Sequence, residues 1–481
     1  MIALRILLMF IFSWSIYVTT CGQTLSKVNK LVDDYFRNIG VSDTTPGGAL
    51  AVIHQGKVIF KKGYGLANLE HKIPFTAATI SDIGSVAKQM TVMGILQLIK
   101  KGQVAFEDPL GKYIPCPEYL AEVTIRQLMQ HTSGIKEVYA LLPLMGWKQG
   151  DRITQQDAKN IIANVKELNF SAGANFSYSN TGYMMLAEVI EDVAKLSFEA
   201  YMQKNIFKPL DMNHTYIMDY QGKKFPNMAT SYHLHDKYPL SYYNYHPTFS
   251  RTFTEVYDNS EVIGAGGVYT SLDDLILWAQ HLRQPKPEWK PWVDSMKVPA
   301  TLTDGSKVDF YGLGLDLHQH QPRSYGHTGS SAGYRANLII YPEVDLIIIT
   351  KTNRPDLDFN PLFKQVLAHF GFLDPANNDD QTESIEEENN KDDEWIPDSN
   401  WNASATGNYY NAELQLTIQL KMDGKLRLNH PRLDFAPLIL SKDYQFRVAE
   451  HPEFHDGKFI IDSSGAVLGF RLNSMLFRKW P

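Results

Sequence analysis

The chain has 481 residues, 44% of them hydrophobic and 21% charged, with a formal net charge of −7. That length fits about two or three domains, and the apolar share suffices for a sizeable core, so wholesale disorder, a collagen-like repeat and a small disulfide scaffold are excluded. The mildly acidic balance also argues against a dedicated nucleic-acid binder, which would show a basic face.

Residues 1–22 carry one charge, Arg5, ahead of the apolar run Ile6 to Val18. One positive residue, about 13 apolar-rich positions and small residues after them read as a secretory signal peptide. A membrane span needs about 20 residues. An exported protein is therefore expected. Val18-Thr19-Thr20-Cys21-Gly22 is similar to a bacterial lipoprotein cleavage box, with Thr20 where a smaller residue is usual. Two readings stay open: a lipid anchor at Cys21 on a periplasmic or outer-membrane-tethered protein, or simple cleavage and secretion. Cys116 is the only other cysteine, so no internal disulfide is expected. Between Pro115 and Pro117 it reads as a small buried hydrophobe.

Residues 23–373 read as one large domain. Ala49 to Ile53 and Val58 to Tyr64 are β-type runs around Gln55-Gly56, a hairpin pattern. Val86 to Lys101, broken only by Gly94, places Met90, Met93, Leu96 and Ile99 near one helical face and stops at Gly102. Tyr183 to Lys195 and Leu272 to Leu282 also predict helices. Ala336 to Tyr341 and Leu346 to Thr350 flank Pro342-Glu343 as antiparallel strands. Strands at both ends with helices between them predict an α+β domain, an antiparallel sheet flanked by helices with a helical subdomain.

Residues 374–399 hold eleven acidic side chains against Lys391 alone, a pattern expected of a solvated linker. This stretch carries −10, which leaves +3 elsewhere and +2 once Arg5 is set aside. The acidity belongs to a tether. Residues 400–481 then show short β-type runs between turn signals such as Asp423-Gly424 and Asp456-Gly457, which predicts a small all-β, barrel-like domain.

Three short motifs bear chemistry. Ser85-Val86-Ala87-Lys88 opens the first helix and puts a hydroxyl and an amine on one face. A serine is a poor nucleophile until a base takes its proton, and a lysine serves only if burial or nearby positive charge lowers its pKa. Tyr178-Ser179-Asn180 follows a turn-rich stretch, where a tyrosine can relay a proton and Asn180 can hydrogen-bond a substrate amide. His327-Thr328-Gly329-Ser330 precedes the terminal strand pair, with small residues that permit close substrate approach.

In this order the three motifs resemble those of the serine β-lactamase and penicillin-binding-protein superfamily, nearest to its branch of class C β-lactamases, D-alanyl-D-alanine carboxypeptidases, D-aminopeptidases and esterases. Leu128-Met129-Gln130-His131-Thr132-Ser133-Gly134 and Gly264-Ala265-Gly266-Gly267-Val268-Tyr269 are similar too. The resemblance covers roughly residues 31–353. It implies Ser85 as the acylated nucleophile, Lys88 as its base, Tyr178 sharing proton transfer and Asn180 positioning substrate. It also implies an oxyanion hole from the backbone N–H groups of Ser85 and Ser330, with His327, Thr328 and Gly329 in the third motif against the substrate. His131-Thr132-Ser133-Gly134 reads as a structural loop brace. The C-terminal domain is similar to lipocalin-like modules of some relatives.

His327 stands where class C β-lactamases have a lysine, which favours a D-peptidase or esterase over an efficient β-lactamase, since histidine is only partly charged near neutral pH. Ala172 replaces the usual proline before Gly173. The alternative is a catalytically weak penicillin-recognising binding or scaffold protein. Gly329-Ser330-Ser331-Ala332-Gly333 also matches the G-x-S-x-G elbow of α/β-hydrolases, which needs a strand before and a helix after. Arg323 to Thr328 is polar and the sequel is strand-like, so Ser331 is not the expected nucleophile. His233-Leu234-His235-Asp236 and His318-Gln319-His320 read as surface histidines; no metal or cofactor is expected. The expected partner is a small-molecule or peptide substrate, peptidoglycan-derived ones included.

Overall fold

The computed structural model describes residues 27–147, 151–219, 222–234, 253–257, 259–373 and, with short gaps, 395–480. Residues 1–26, with the expected signal peptide and Cys21, and residues 374–394 of the expected linker lie outside the described residues.

Two stretches of nearly unbroken apolar sequence form the middle of a six-stranded antiparallel sheet. Its strands are β1 (Gly48–His54), β2 (Lys57–Tyr64), β3 (Asp316–His318), β4 (Ser324–Ser331), β5 (Tyr334–Tyr341) and β6 (Leu346–Thr352). Their order is β3-β4-β5-β6-β1-β2, so the two ends of the domain meet at β1 and β6, paired from Gly48↔Thr352 to His54↔Leu346. Both central strands are buried on both faces, which is why neither alternates. Gln55 and Gly56 both take positive φ (49° and 71°), the backbone that a two-residue hairpin between β1 and β2 requires.

One face of the sheet presents Leu50, Val52 and Ile348 to the helix over 27–38 and to helix Asn360–His369. The other presents Ala49, Ala51, Leu338 and Ile349 to the main core. Through that core runs α1 (Ala87–Lys100), buried from Ala87 to Leu98. Gly94, the one breaker in its sequence, marks where α3 (Asn180–Ala194) crosses: a Cβ there would lie 3.0 Å from Ile190 Cδ1. Between them in sequence lies the short α2 (Val138–Leu144), and α4 (Leu272–Arg283) packs against the sheet. Cys116 is half-buried against this core rather than fully enclosed.

Two strands depart from the sequence reading. The polar stretch Arg323 to Thr328 enters β4, because β5 pairs with it from Tyr325↔Ile340 to Ser331↔Tyr334 and β3 covers its first half; tertiary pairing overrides local polarity. His233 is buried, not on the surface, on a strand (Tyr232–Leu234) paired with Phe253–Glu255. His318 and His320 are exposed, and His235 and Asp236 lie outside the described residues.

Beyond a short helix at Ser399–Ala405, the C-terminal chain closes an eight-stranded antiparallel barrel. Its strands are β7 (Gly407–Asn411), β8 (Leu416–Asp423), β9 (Lys425–His430), β10 (Leu433–Leu440), β11 (Gln445–Val448), β12 (Gly457–Ile461), β13 (Val467–Leu472) and β14 (Met475–Trp480). Each pairs with the next, and β7 closes on β14. The final strand was not legible in advance, because its two-residue turn, Asn473-Ser474, contains no glycine. Rings fill the inside: Phe470 has Tyr409, Phe446, Phe459 and Phe477 with centroids 4.9 to 6.0 Å away. Phe470→Ala should therefore cost about 3–5 kcal/mol of stability, read as a lower denaturant midpoint, because this rigid ring cluster cannot collapse into the void.

Candidate active site

Ser85 lies in a single 3₁₀ turn, Gly84–Val86, that leads into α1, and its side chain does not cap the helix. Gly84 takes φ +50°, and Asp82 Oδ1 accepts its N–H at 2.8 Å, which fixes the turn. Lys88 follows on the first turn of α1, fully buried. Its Nζ stands 2.9 Å from Ser85 Oγ, 2.6 Å from Asn180 Oδ1 and 2.9 Å from Ala265 O. Two of these neighbours are carbonyl oxygens that can only accept. A neutral amine therefore spends both N–H bonds on them and aims its lone pair at the Ser85 hydroxyl. Burial pushes the Lys88 pKa down to about 7, against the upward pull of the Glu137 and Asp316 carboxylates.

Asn180 is the first residue of α3, and both atoms of its head group are engaged. Its Oδ1 takes the Lys88 bond, while Nδ2 donates to Glu137 Oε1 at 3.1 Å. Glu137 also accepts from the backbone N–H of Asn180 and of Tyr139, which sets the amide's orientation. Asn180 nonetheless lines a cavity beside Ser85. Tyr178 lines one cavity with Ser85, and burial drives its phenol far above the usual range. The face of its ring lies 4.8 Å from Lys88 Nζ, so the amine sits against π density as well as carbonyls.

Behind Tyr178 lies His131, whose ring packs 4.1 Å from the tyrosine ring. His131 Nδ1 accepts from Ser179 N–H at 3.0 Å, so its Nε2 carries the proton and donates to Tyr311 Oη at 3.1 Å. Tyr311 then donates to His327 Nε2 at 3.2 Å, and His327 Nδ1–H donates to Thr328 O at 2.6 Å. Every proton in this chain has one place. Both imidazoles are buried, and burial, with the nearby Lys88, holds both below the ordinary histidine pKa; Asp316 Oδ2, 3.7 Å from His327 Nδ1, only partly offsets this. At neutral pH His327 therefore presents no positive charge, a stronger departure from a lysine than its residue type suggested.

The third motif reaches Ser85 through backbone. A Cβ on Gly329 would lie 1.9 Å from Ile83 O and 3.2 Å from Ser85 N, and one on Gly84 would lie 2.5 Å from Ser330 N. Only glycine at both positions lets β4 lie this close to the serine turn. Two cavities flank the serine and share Ser85 and Ser330 as lining. One, about 430 Å³, includes Tyr178, His327, Thr328 and Gly329; the other, about 260 Å³, includes Tyr139, Asn180 and Tyr269. Ser331 stands at the end of β4 with another strand after it, not at a strand-to-helix elbow.

The structure thus gathers Ser85, Lys88, Tyr178, Asn180, His327, Thr328, Gly329 and Ser330 into one centre. Sequence reasoning missed Glu137, Tyr311 and Asp316, the first from one segment and the other two bridged to each other on a second, with no local motif of their own. Ala265 lay inside a quoted stretch, but only the fold shows that its carbonyl meets the amine.

A β-lactamase family model matches residues 32–405. Penicillin-binding protein 4* of Bacillus subtilis (strain 168) is 27% identical over 358 residues, covering 72% of this chain and 76% of its own length. A D-aminopeptidase of Gluconobacter oxydans (strain 621H) is 25% identical over 314 residues, 64% of this chain; the match spans only 56% of that relative's length. Among solved structures, SurE with D-Leu aligns at TM-score 0.59 and 22% identity, covering 95% of this chain and all of that one. The octameric penicillin-binding protein homologue from Pyrococcus abyssi aligns at 0.58 and 21%, covering 94% and 99%. Both likenesses extend past the catalytic domain through the barrel. A family match over more than three quarters of the chain, on a fold that assembles these three motifs, makes this protein a member of the β-lactamase family, whose members include serine hydrolases.

Proposed function

We propose that the protein is an exported serine hydrolase that cleaves an amide or ester through an acyl-enzyme on Ser85, and that it is a D-peptidase, D-amino-acid amidase or esterase rather than an efficient β-lactamase. The observation that carries this is the buried Lys88 Nζ 2.9 Å from Ser85 Oγ, with both other neighbours of Nζ able only to accept.

Lys88 Nζ takes the Ser85 proton as Oγ bonds to the substrate carbonyl carbon. The carbonyl oxygen becomes an oxyanion and is met by the backbone N–H groups of Ser85 and Ser330, which need no reorganisation. As the tetrahedral species collapses, Tyr178, on the same cavity lining as Ser85, passes a proton to the departing nitrogen or oxygen. Water then attacks the acyl carbonyl, the same groups act in reverse, and Ser85 leaves protonated. A neutral His327 offers no fixed cation for a β-lactam carboxylate. The D-aminopeptidase relatives support a D-configured amide as the first substrate to try.

Labelling with a fluorophosphonate, followed by intact-mass and peptide mapping, should give one adduct, on Ser85. Ser85→Ala should abolish it and lower turnover of D-amino-acid amides or p-nitrophenyl esters by about 10³-fold or more. An adduct on Ser331 instead, or no adduct in folded protein with any acylating probe, overturns the reading; the second result favours a binding protein.

A further inference from the structure

The barrel is more than an appendage at the seam where it meets the catalytic domain. Helix α2 lies between the two. It has seven residues with Pro143 among them, too short to hold its place alone, so its position comes from what grips it. On the catalytic side its N-cap residue is Glu137, which carries Asn180. Thr181 Oγ1 stitches the same segment to α3, donating to Lys136 O and accepting from Val138 N, each at 2.8 Å. On the other side the grips come from the barrel. Asn473 Nδ2 donates to Ala140 O at 2.6 Å, and His430 Nε2 donates to Leu144 O at 2.6 Å. Lys136 Nζ donates to Asn169 Oδ1 at 3.2 Å and reaches Ser474 O at 3.4 Å.

Asn473, His430 and Lys136 are 0%, 2% and 2% exposed. An amide, an imidazole and an ammonium buried at one seam are costly unless each is paired, so the barrel has one favourable seat on α2 rather than a range of them. The turn that carries Asn473 and Ser474 holds both at positive φ (47° and 63°), the conformation that presents this amide and this carbonyl to the helix.

We propose that the Asn473-Ser474 turn of the barrel is a clamp on α2 that positions Glu137 and, through Asn180, Lys88. The links are Asn473 to Ala140, along α2 to Glu137, then Asn180 and Lys88, each closed by a hydrogen bond or a helical turn. This rests on the reading of Ser85 and Lys88 as nucleophile and base. Asn473 touches no reacting atom, so it is a positioning residue.

The test uses the full chain and the rate at which a fluorophosphonate acylates Ser85, followed by intact mass across pH. Asn473→Gly keeps the left-handed turn and deletes the amide. It should slow acylation about tenfold, the scale of a small misplacement of a catalytic group. It should also move the acid limb of the pH profile to lower pH. Lys88 is faced by Glu137, Asp316, Tyr178, Tyr183, His131 and His327, and of these only Glu137 sits at the helix the barrel grips. Its withdrawal removes a carboxylate that favours the charged amine. Asn473→Asp, which sets a carboxylate against Ala140 O while keeping the turn, should act in the same direction if the glycine variant folds poorly. In a Glu137→Gln background, Asn473→Gly should cost little more. Unchanged rate and limb, or fully additive losses with Glu137→Gln, overturn the clamp. A wild-type protein without a Ser85 adduct overturns the catalytic reading beneath it instead.

Discussion

Lys88→Met is expected to lower the rate of Ser85 acylation by about 10³-fold or more, since it removes the base and leaves the serine at its ordinary, weakly nucleophilic state. The thioether has nearly the length of the lysine chain, so the buried channel stays filled. What disappears is the group that can accept the hydroxyl proton. Lys88→Arg should be as inactive for a different reason: the guanidinium stays protonated and has no lone pair to offer. The wild-type pH profile supplies the complementary measurement. Lys88 works only when neutral, and burial holds its pKa to about 7. The rate should therefore be low on the acid side, rise as pH passes through about 7 and level off above, where the neutral form predominates. Glu137 and Asp316 raise the pKa, so Glu137→Gln should move the rise to lower pH. A flat profile across this region, or a Lys88→Met variant that acylates at the wild-type rate, would remove Lys88 from the mechanism.

How much of this centre was legible in the sequence follows from how its parts are encoded. Ser85 and Lys88 stand three residues apart where a 3₁₀ turn runs into α1, and Tyr178 and Asn180 flank one helix start, so short spacing rules reach them. The β1–β2 hairpin was legible because Gln55-Gly56 supplies a turn between two apolar runs, and α1, α3 and α4 because their apolar spacing is helical. Strand β4 was not, since Ser324 to Thr328 gains its strand geometry from β5 rather than from its own residues. Glu137 was passed over for a similar reason. Only after α2 and α3 fold together does its carboxylate meet the Asn180 amide, 43 positions away. The neutral state of His327 also needed the fold, because burial beneath Tyr311, not residue type, decides its charge.

The second large effect concerns backbone alone. Gly329→Ala is expected to slow acylation by about 10²–10³-fold, the usual cost of losing an oxyanion-hole donor. The added Cβ would lie 1.9 Å from Ile83 O, a distance that no non-bonded pair of heavy atoms tolerates, and 3.2 Å from Ser85 N. Ile83 and Gly84 are backbone fixed by the Asp82 turn, so β4 and the serine turn must move apart. That parts the Ser85 and Ser330 N–H groups just where the developing charge needs both. A general loss of stability must be separated from this, and the same strand provides the control. A Cβ on Gly326 would also lie 1.9 Å from a carbonyl, that of Leu338, but this clash faces β5 rather than Ser85. Gly326→Ala should therefore lower the denaturant midpoint while the folded fraction still acylates at a rate near wild type. Gly329→Ala should lose acylation even in its folded fraction. If the two variants lose activity only in proportion to their unfolded fractions, the close approach at Gly329 serves packing, and the oxyanion is held by groups other than these two N–H bonds.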